Sequence, residues 1–231
     1  MSRVSEQAER FVDMVDFLKI VIESKGGEMS NDERTLISVA FKNLITSKRT
    51  AWRTVRAIQQ NSKYKKFETS LDEYRTRLED RLFNDCSMII ELIQTNVLNK
   101  KCEDEAKAFF VKLIADNHRY VAEMSQDERF EKAKENARTS YEDANAINLP
   151  PCAPIKLGLV LNLSVFYYEV MKDTKRACSI ADAALIAALE KIDDLGEEEF
   201  KDAKAIIELL KENLQLWKDE EEDKNKGPDE Y

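Results

Sequence analysis

Apolar and polar positions along the chain alternate with the period of an α-helix. Between residues 32 and 61, apolar side chains recur every three or four positions and define one face, formed by Ile37, Phe41, Leu44, Ala51, Val55 and Ile58. The same spacing recurs in residues 67–99, in a segment that begins near residue 103, in a separate segment over 125–145, and in residues 177–195 and 197–217. Residues 155–171 are apolar nearly all round, as in a helix buried between neighbours. The pattern predicts an all-α fold.

Turn and capping signals divide this pattern into helices. Gly26 and Gly27 form a stop signal after two short N-terminal helices, and residues 30–33 (SNDE) have the form of a capping box. Five glycines and four prolines in 231 residues are too few for the closely spaced turns of a sheet protein. We expect one helical domain over residues 1–217 and an acidic, disordered tail over residues 218–231.

Charge and composition exclude several classes of function. A net charge of -9 disfavours binding to nucleic acid, because the phosphate backbone repels an acidic surface. The polar N-terminal segment and the lack of an apolar run of about 20 residues predict a cytoplasmic protein without membrane contact. Four widely spaced cysteines are expected to be reduced thiols, and the single histidine, His118, is too little for a metal centre or a serine-histidine triad. We therefore expect no metal and no cofactor.

A basic stripe lies on the helix predicted over residues 32–61. Lys42, Arg49, Arg53 and Arg56 fall within about 60° of one another around the helix axis. Most such stripes are solvated surface, which is the simplest interpretation. However, residues 36–58 contain no acidic residue that could neutralise the stripe from its own helix. The sequence therefore favours a local anion site, of a size suited to one phosphate group rather than to a polyanion.

A second cationic cluster occurs on the helix that begins near residue 103. Lys112, Asp116, Arg119 and Tyr120 share one face of this helix. An arginine offers a planar fork to two phosphate oxygens, and a phenol can donate a further hydrogen bond. The alternative is that Arg119 pairs with Asp116 or Glu123 on its own helix, and the sequence leaves both interpretations open.

Two asparagines interrupt otherwise apolar helix faces. Asn162 lies among leucines, valine and phenylalanine in the most apolar helix, and Asn213 lies in the apolar row of the last helix. A buried amide needs hydrogen-bond partners, and one such residue is usually a structural contact. Two of them suggest a groove in which side-chain amides bind an extended main chain.

The chain resembles the 14-3-3 family, and the resemblance covers nearly all of its length. Its motifs, in order, are 38–43 (SVAFKN), 49–53 (RTAWR), 119–120 (RY), 157–162 (LGLVLN), 164–169 (SVFYYE) and 209–217 (LLKENLQLW). The resemblance implies a bundle of about nine antiparallel helices with a concave amphipathic groove for phosphoserine or phosphothreonine peptides. It also implies a protein that is not an enzyme.

The resemblance assigns a role to particular residues of the groove. Arg49, Arg119 and Tyr120 would bind the phosphate with help from Lys42, and Asn162 and Asn213 would bind the peptide main chain. The other groove positions are Val39, Arg53, Lys112, Leu161, Val165, Glu169, Ile206, Leu209 and Trp217. Two departures stand out: Ala205 replaces a usual leucine and makes the apolar wall shallower, and Arg56 stands where a small polar residue is typical.

The resemblance also predicts a dimer formed by the N-terminal helices. Its interface residues would be Arg10, Asp13, Tyr74, Arg77 and Arg81. Alignment to the family pairs Asp13 with Arg77, but it places Arg10 opposite Arg81, and two arginines cannot form a salt bridge. Together with a short first helix, this predicts a homodimer of reduced affinity, or one that forms mixed dimers.

Three functional hypotheses follow. The leading one is an adaptor that recognises phosphoserine or phosphothreonine and regulates its clients by sequestering or clamping phosphorylated segments. The alternative is a helical scaffold whose groove binds partners mainly through hydrophobic contacts, without dependence on phosphate. An enzyme is the third, but the sequence contains no glycine-rich phosphate loop, no metal-ligand spacing and no nucleophile with a base.

Overall fold

The described residues form nine α-helices and no strand, which confirms the predicted all-α class. In this computed structural model the described backbone covers residues 1–225, and the described side chains are those of residues 1–126 and 128–221. The helices are α1 (Ser2–Gln7), α2 (Phe11–Lys25), α3 (Asn31–Gln59), α4 (Glu68–Ile93), α5 (Asp104–Met124), α6 (Asp127–Ala146), α7 (Pro154–Glu169), α8 (Thr174–Leu189) and α9 (Glu197–Asn225).

The predicted start of α3 is confirmed in atomic detail. The backbone N–H of Glu33 donates to the Ser30 hydroxyl at 3.3 Å, and the Glu33 carboxylate accepts from the Ser30 N–H at 3.0 Å. This reciprocal pair satisfies two amide groups that the first helical turn leaves without partners. The long helix that carries the basic stripe therefore begins where the sequence places it.

The glycine pair before α3 is required by close packing. Gly26 has φ +57°, and a Cβ atom there would lie 2.7 Å from the carbonyl oxygen of Asn96. At Gly27 a Cβ atom would lie 2.6 Å from the carbonyl oxygen of Lys101. Only glycine lets the chain turn this tightly against the segment that follows α4.

The chain divides into two compact units, and the first comprises Met1–Ala137. Within it, α2 packs on α3, α3 on α4, and α4 on α5, and α3 also contacts α5. The buried faces of these helices include Leu18, Ile37, Phe41, Leu82, Ile89 and Phe110. The apolar face predicted for α3 is thus its core face, which leaves the opposite face for the cations.

The second unit comprises residues from Arg138 onward. Helix α7 packs against both α8 and α9, as predicted from apolar side chains on nearly all of its faces. Tyr141, Phe166 and Tyr167 form an aromatic cluster with ring centroids 5.6 Å apart at each step. Trp217 of α9 stacks on Tyr168 of α7, with ring centroids 5.0 Å apart. The expectation of one domain over residues 1–217 stays a prediction.

The last helix continues beyond the boundary that the sequence suggested. Disorder was expected from residue 218, but α9 remains helical to Asn225. The Tyr168 hydroxyl donates to Glu220, and Lys218 lies 3.2 Å from Asp182 of α8. Polar contacts with α7 and α8 therefore hold a segment that has little apolar surface. The expectation for residues 226–231 lies outside the described residues.

Candidate functional site

Three of the four predicted phosphate ligands meet in the first unit. Helix α3 supplies Arg49, and helix α5 supplies Arg119 and Tyr120. The Arg49 guanidinium carbon lies 4.2 Å from the centre of the Tyr120 ring, and that of Arg119 lies 4.8 Å from it. The phenol ring thus contacts both guanidinium groups, and these cation–π contacts stabilise the two positive charges.

One carboxylate, that of Glu123, binds three arginines at this point. Arg49 donates to it from Nη2 at 2.5 and 2.8 Å and from Nε at 3.1 Å. Arg119 donates from Nη1 at 2.9 Å, and Arg53 from Nη2 at 3.3 Å. Three guanidinium groups therefore share a single negative charge, so the cluster keeps an excess of positive charge.

Lys112 and Asp116 extend the cluster along α5. The Lys112 ammonium donates to Asp116 at 2.9 Å, and Arg119 Nη2 lies 3.9 Å from the same carboxylate. The side chains of Asp116 and Arg119 are only 6 % and 8 % exposed, so water screens them little. The cluster is held in place before any ligand binds.

The ion pairs of Arg49 and Arg53 show that one inference from the sequence, an uncompensated basic stripe, was wrong. The stripe was interpreted as uncompensated because its own helix has no acidic residue, yet Glu123 of α5 neutralises part of it. The sequence offers Glu123 as a partner for Arg119 on the same helix, and that pairing is also present at 2.9 Å. Neighbouring helices share this carboxylate, which the sequence of α3 alone could not reveal.

Burial keeps the Tyr120 hydroxyl protonated. Removal from water, and then the nearby Asp116 carboxylate, raises the pKa of Tyr120 to about 12. The phenol therefore remains a hydrogen-bond donor throughout the physiological pH range. A donor next to two guanidinium groups is suited to an oxyanion.

Lys42 lies two turns before Arg49 on α3 and is exposed. Within the described side chains it has no ion pair, so its ammonium is available to a ligand. Val39 is half-buried one turn earlier, and its carbonyl accepts from the Asn43 amide at 2.9 Å. The stripe thus contains two exposed cations, Lys42 and Arg56, that pair with no described carboxylate, beside the two arginines that Glu123 binds.

The predicted groove residues of the second unit lie on α7 and α9. Asn162, Leu161 and Val165 are half-buried on α7, and Glu169 is exposed at its end. On α9, Asn213 and Ile206 are half-buried and Leu209 is exposed. An amide and exposed apolar side chains occur together on these helices, as the groove hypothesis requires.

Trp217 has a different environment from the one the sequence suggested. Its side chain is buried and stacks on Tyr168, so it offers a ligand little surface. A large aromatic ring at the end of an apolar row satisfies its burial by packing within the unit. Its contribution is to fix α9 against α7.

The predicted interface residues lie on α4 and next to or within α2. Arg10 pairs with Asp13 of the same chain, with Nε and Nη2 at 2.5 and 3.0 Å from the carboxylate. Tyr74 is exposed, and the Arg77 guanidinium lies 5.9 Å from its ring centre, while Arg81 is exposed. The exposed apolar side chains of this N-terminal region include Val4, Val12 and Ile20.

A second set of polar contacts at the end of α3 was missed by sequence reasoning. The Trp52 indole donates to Glu79 of α4 at 2.8 Å, and the Arg56 guanidinium lies 5.3 Å from the Trp52 ring centre. Arg56 therefore has a defined place in the structure. The signal in the sequence was the spacing of four residues between Trp52 and Arg56 on a helix.

Metal and membrane functions find no support in the part of the chain that the structure describes. Those residues contain no group of three metal-ligating side chains. None of their helices combines the length and the apolar character that crossing a bilayer requires.

The described residues thus define an all-helical protein that carries a preformed cluster of arginines. Comparison with known proteins identifies the family. The family model described as 14-3-3 protein matches residues 1–218, and the chain belongs to the 14-3-3 family. This is a family of non-enzymatic adaptors, which confirms that the protein is not an enzyme.

Several plant relatives match almost the whole chain. The 14-3-3-like protein F of Nicotiana tabacum is 40% identical over an alignment that covers 96% of this chain and 90% of the relative. The 14-3-3 protein 10 of Solanum lycopersicum is 40% identical, with 96% and 92% covered. The 14-3-3-like protein B of Glycine max is 39% identical, with 99% and 96% covered.

Proposed function

We propose that this protein is a phosphoserine- and phosphothreonine-dependent adaptor. The observation that carries the proposal is the convergence of Arg49, Arg53 and Arg119 on the single carboxylate of Glu123. A dianionic phosphate can neutralise the remaining positive charge and accept hydrogen bonds from guanidinium groups that are already positioned. Charge-assisted hydrogen bonds contribute about 1.5–3 kcal/mol each, so a few of them discriminate strongly against an unphosphorylated segment.

Each group of the cluster has its own role in this proposal. Arg49 and Arg119 bind the phosphate oxygens, the Tyr120 hydroxyl donates a further hydrogen bond, and the exposed Lys42 adds charge. In the second unit, Asn162 and Asn213 bind the peptide main chain. The apolar side chains that contact the peptide are Leu161, Val165, Ile206 and Leu209, with less contact at Ala205.

Family membership supports two further parts of the proposal. Members of this family bind phosphorylated partner proteins and dimerise in general. We propose that this chain forms a homodimer and regulates clients by sequestering or clamping a phosphorylated segment. The cytoplasmic location stays a prediction from the sequence.

Fluorescence anisotropy with matched peptides tests the proposal. A phosphoserine peptide should bind at least ten times more tightly than the same peptide with serine. Arg49→Gln should remove most of this difference, whereas Lys101→Gln, which removes an exposed charge elsewhere in the same unit, should keep it. Circular dichroism of both variants checks that the helices are intact.

The result that overturns the proposal is equal binding of the two peptides. Charge reversal at Arg49 distinguishes the adaptor function from the alternative scaffold function. Arg49→Glu places a carboxylate next to Glu123, and the two carboxylates repel a phosphate. If partner binding survives Arg49→Glu, the groove works through hydrophobic contacts and the adaptor proposal fails.

A further inference from the structure

The end of α3 carries a cation that the phosphate cluster does not use. Arg56 is exposed and forms no ion pair with a described side chain. It lines a cavity of about 490 Å³ in the first unit, together with Lys65, Tyr64, Gln60, Arg75 and Gln126. This volume lies within the range of ligand sites.

The cavity continues the line of contacts between α3 and α5. Arg49 contacts Tyr120, Arg53 contacts Glu123, and Arg56 shares the cavity lining with Gln126. On α3 these steps are four and three residues, so each arginine lies about one turn beyond the last, and Gln126 lies two residues after the end of α5. The Arg56 cavity is therefore the next position after the phosphate cluster in the same direction.

Two cations of the cavity are available to a ligand. Arg75 is engaged, because it lies 3.4 Å from both Asp72 and Glu79. Asp72 is engaged in turn by the Gln59 amide at 2.7 Å. The remaining charged groups of the lining are Arg56, Lys65 and Glu68, all exposed, so two cations lie with one carboxylate there, whereas Asp72 and Glu79 together outweigh Arg75 by one negative charge.

The Arg56 side chain is positioned before a ligand arrives. Its guanidinium lies over the Trp52 ring, and Trp52 is fixed by the hydrogen bond from its indole to Glu79 of α4. A side chain held in this way loses less conformational freedom when it binds a ligand. Uncharged donors of the lining, such as the amides of Gln60 and Gln126, suit an oxyanion.

We propose that Arg56 and Lys65 form a second anion site for the same bound segment, which rests on the proposed function. The occupant is a carboxylate or a second phosphate of the phosphorylated partner. Seven residues of helix separate Arg49 from Arg56, or about 10 Å along the axis. An extended segment advances about 3.3 Å per residue, so the second anion should lie about two to five residues from the first phosphate.

A peptide series tests this site. The parent peptide carries one phosphoserine with neutral flanks, and each derivative adds one glutamate or one further phosphoserine two to five residues away on either side. For the wild-type protein, anisotropy should show a gain of about threefold to tenfold at one or two positions. Glutamate and phosphoserine derivatives distinguish the two sources of the anion.

Variants connect the gain to the cavity. Arg56→Ser should abolish the gain without changing the affinity for the parent peptide, and Arg56→Lys should restore part of it. Lys65→Gln should reduce the gain, whereas Lys101→Ser should leave it intact. Raising the salt concentration should shrink the gain, since exposed charges are screened.

The outcomes separate the two proposals. If the parent peptide binds with phosphate dependence but no derivative gains affinity, or the gain survives both Arg56→Ser and Lys65→Gln, the second site is refuted and the adaptor function stands. If the parent peptide binds no better than its unphosphorylated form, the adaptor function itself is refuted, and the second site with it.

Discussion

Arg49 of α3 and Glu123 of α5 form a bidentate ion pair, with Arg49 Nη2 2.5 and 2.8 Å from the two carboxylate oxygens. Both side chains are mostly buried, at 16 % and 11 % exposure. The pair therefore holds the main arginine of the proposed phosphate site in one orientation. A bound phosphate would have to share the guanidinium groups of the cluster with the Glu123 carboxylate.

Replacing Glu123 by glutamine should lower the stability of the free protein and increase the stabilisation that a bound phosphopeptide provides. Glu123→Gln removes the carboxylate that the three guanidinium groups share and leaves only Asp116, 3.9 Å from Arg119, beside them. We expect this to cost about 1–3 kcal/mol in the free energy of unfolding. A phosphopeptide restores the missing negative charge. Differential scanning fluorimetry should therefore show a lower melting temperature for the free variant and a larger rise with phosphopeptide than in the wild type. An equal or smaller rise would contradict the proposed charge balance.

Tyr120→Phe should distinguish the contribution of the Tyr120 hydroxyl from that of its ring. Phenylalanine keeps the surface that faces Arg49 and Arg119, so stability should change little. Loss of the donated hydrogen bond should weaken phosphopeptide binding by about tenfold. Because the pKa of Tyr120 is raised to about 12, the wild-type affinity should not fall through ionisation of Tyr120 between pH 7 and 9. Unchanged affinity of the variant would remove Tyr120 from the phosphate site.

His118 should make the protein less stable in mild acid. Burial lowers the pKa of native His118 to about 4, whereas a histidine in the unfolded chain titrates near 6.5. Between these values the unfolded chain binds more protons, so the contribution of His118 is complete above about pH 6.5 and is lost as the pH falls towards 4. At pH 5 we expect a loss of about 1–2 kcal/mol.

Urea denaturation at pH 7.5 and pH 5 measures this loss, and His118→Gln provides the control. The variant should lose less stability than the wild type between the two pH values. If both lose the same amount, carboxylates rather than His118 cause the acid dependence.

Arg10 should weaken the predicted dimer. In the single chain it engages Asp13, the residue that the family resemblance pairs with Arg77 across the interface, and it would face Arg81 there. Arg10→Ala frees Asp13 and removes the repulsion, so both effects should strengthen association, by no more than about fivefold because the groups are exposed. Sedimentation velocity over a range of concentrations measures this. Weaker association of Arg10→Ala, or a wild-type monomer at every concentration, would contradict the prediction.

The sequence by itself determined the fold class and most helix positions. Helical periodicity and scarce glycine and proline were sufficient for the all-α class, because core-facing side chains on a helix must recur every three or four residues. The capping box of Ser30 and Glu33 is local, so its start signal is read directly. Spacing within single helices identified Arg119, Tyr120 and Asn162 as candidates, and the family motifs then assigned their roles.

Tertiary structure decided which charges meet. Glu123 lies 74 residues after Arg49, so no local pattern shows that this carboxylate neutralises the stripe. The helical end of α9 depends in the same way on contacts between Glu220 and Tyr168, and the place of Arg56 depends on Trp52 and Glu79. Periodicity specifies which face of a helix is buried, but the partners of its polar face are set only when separate helices pack together.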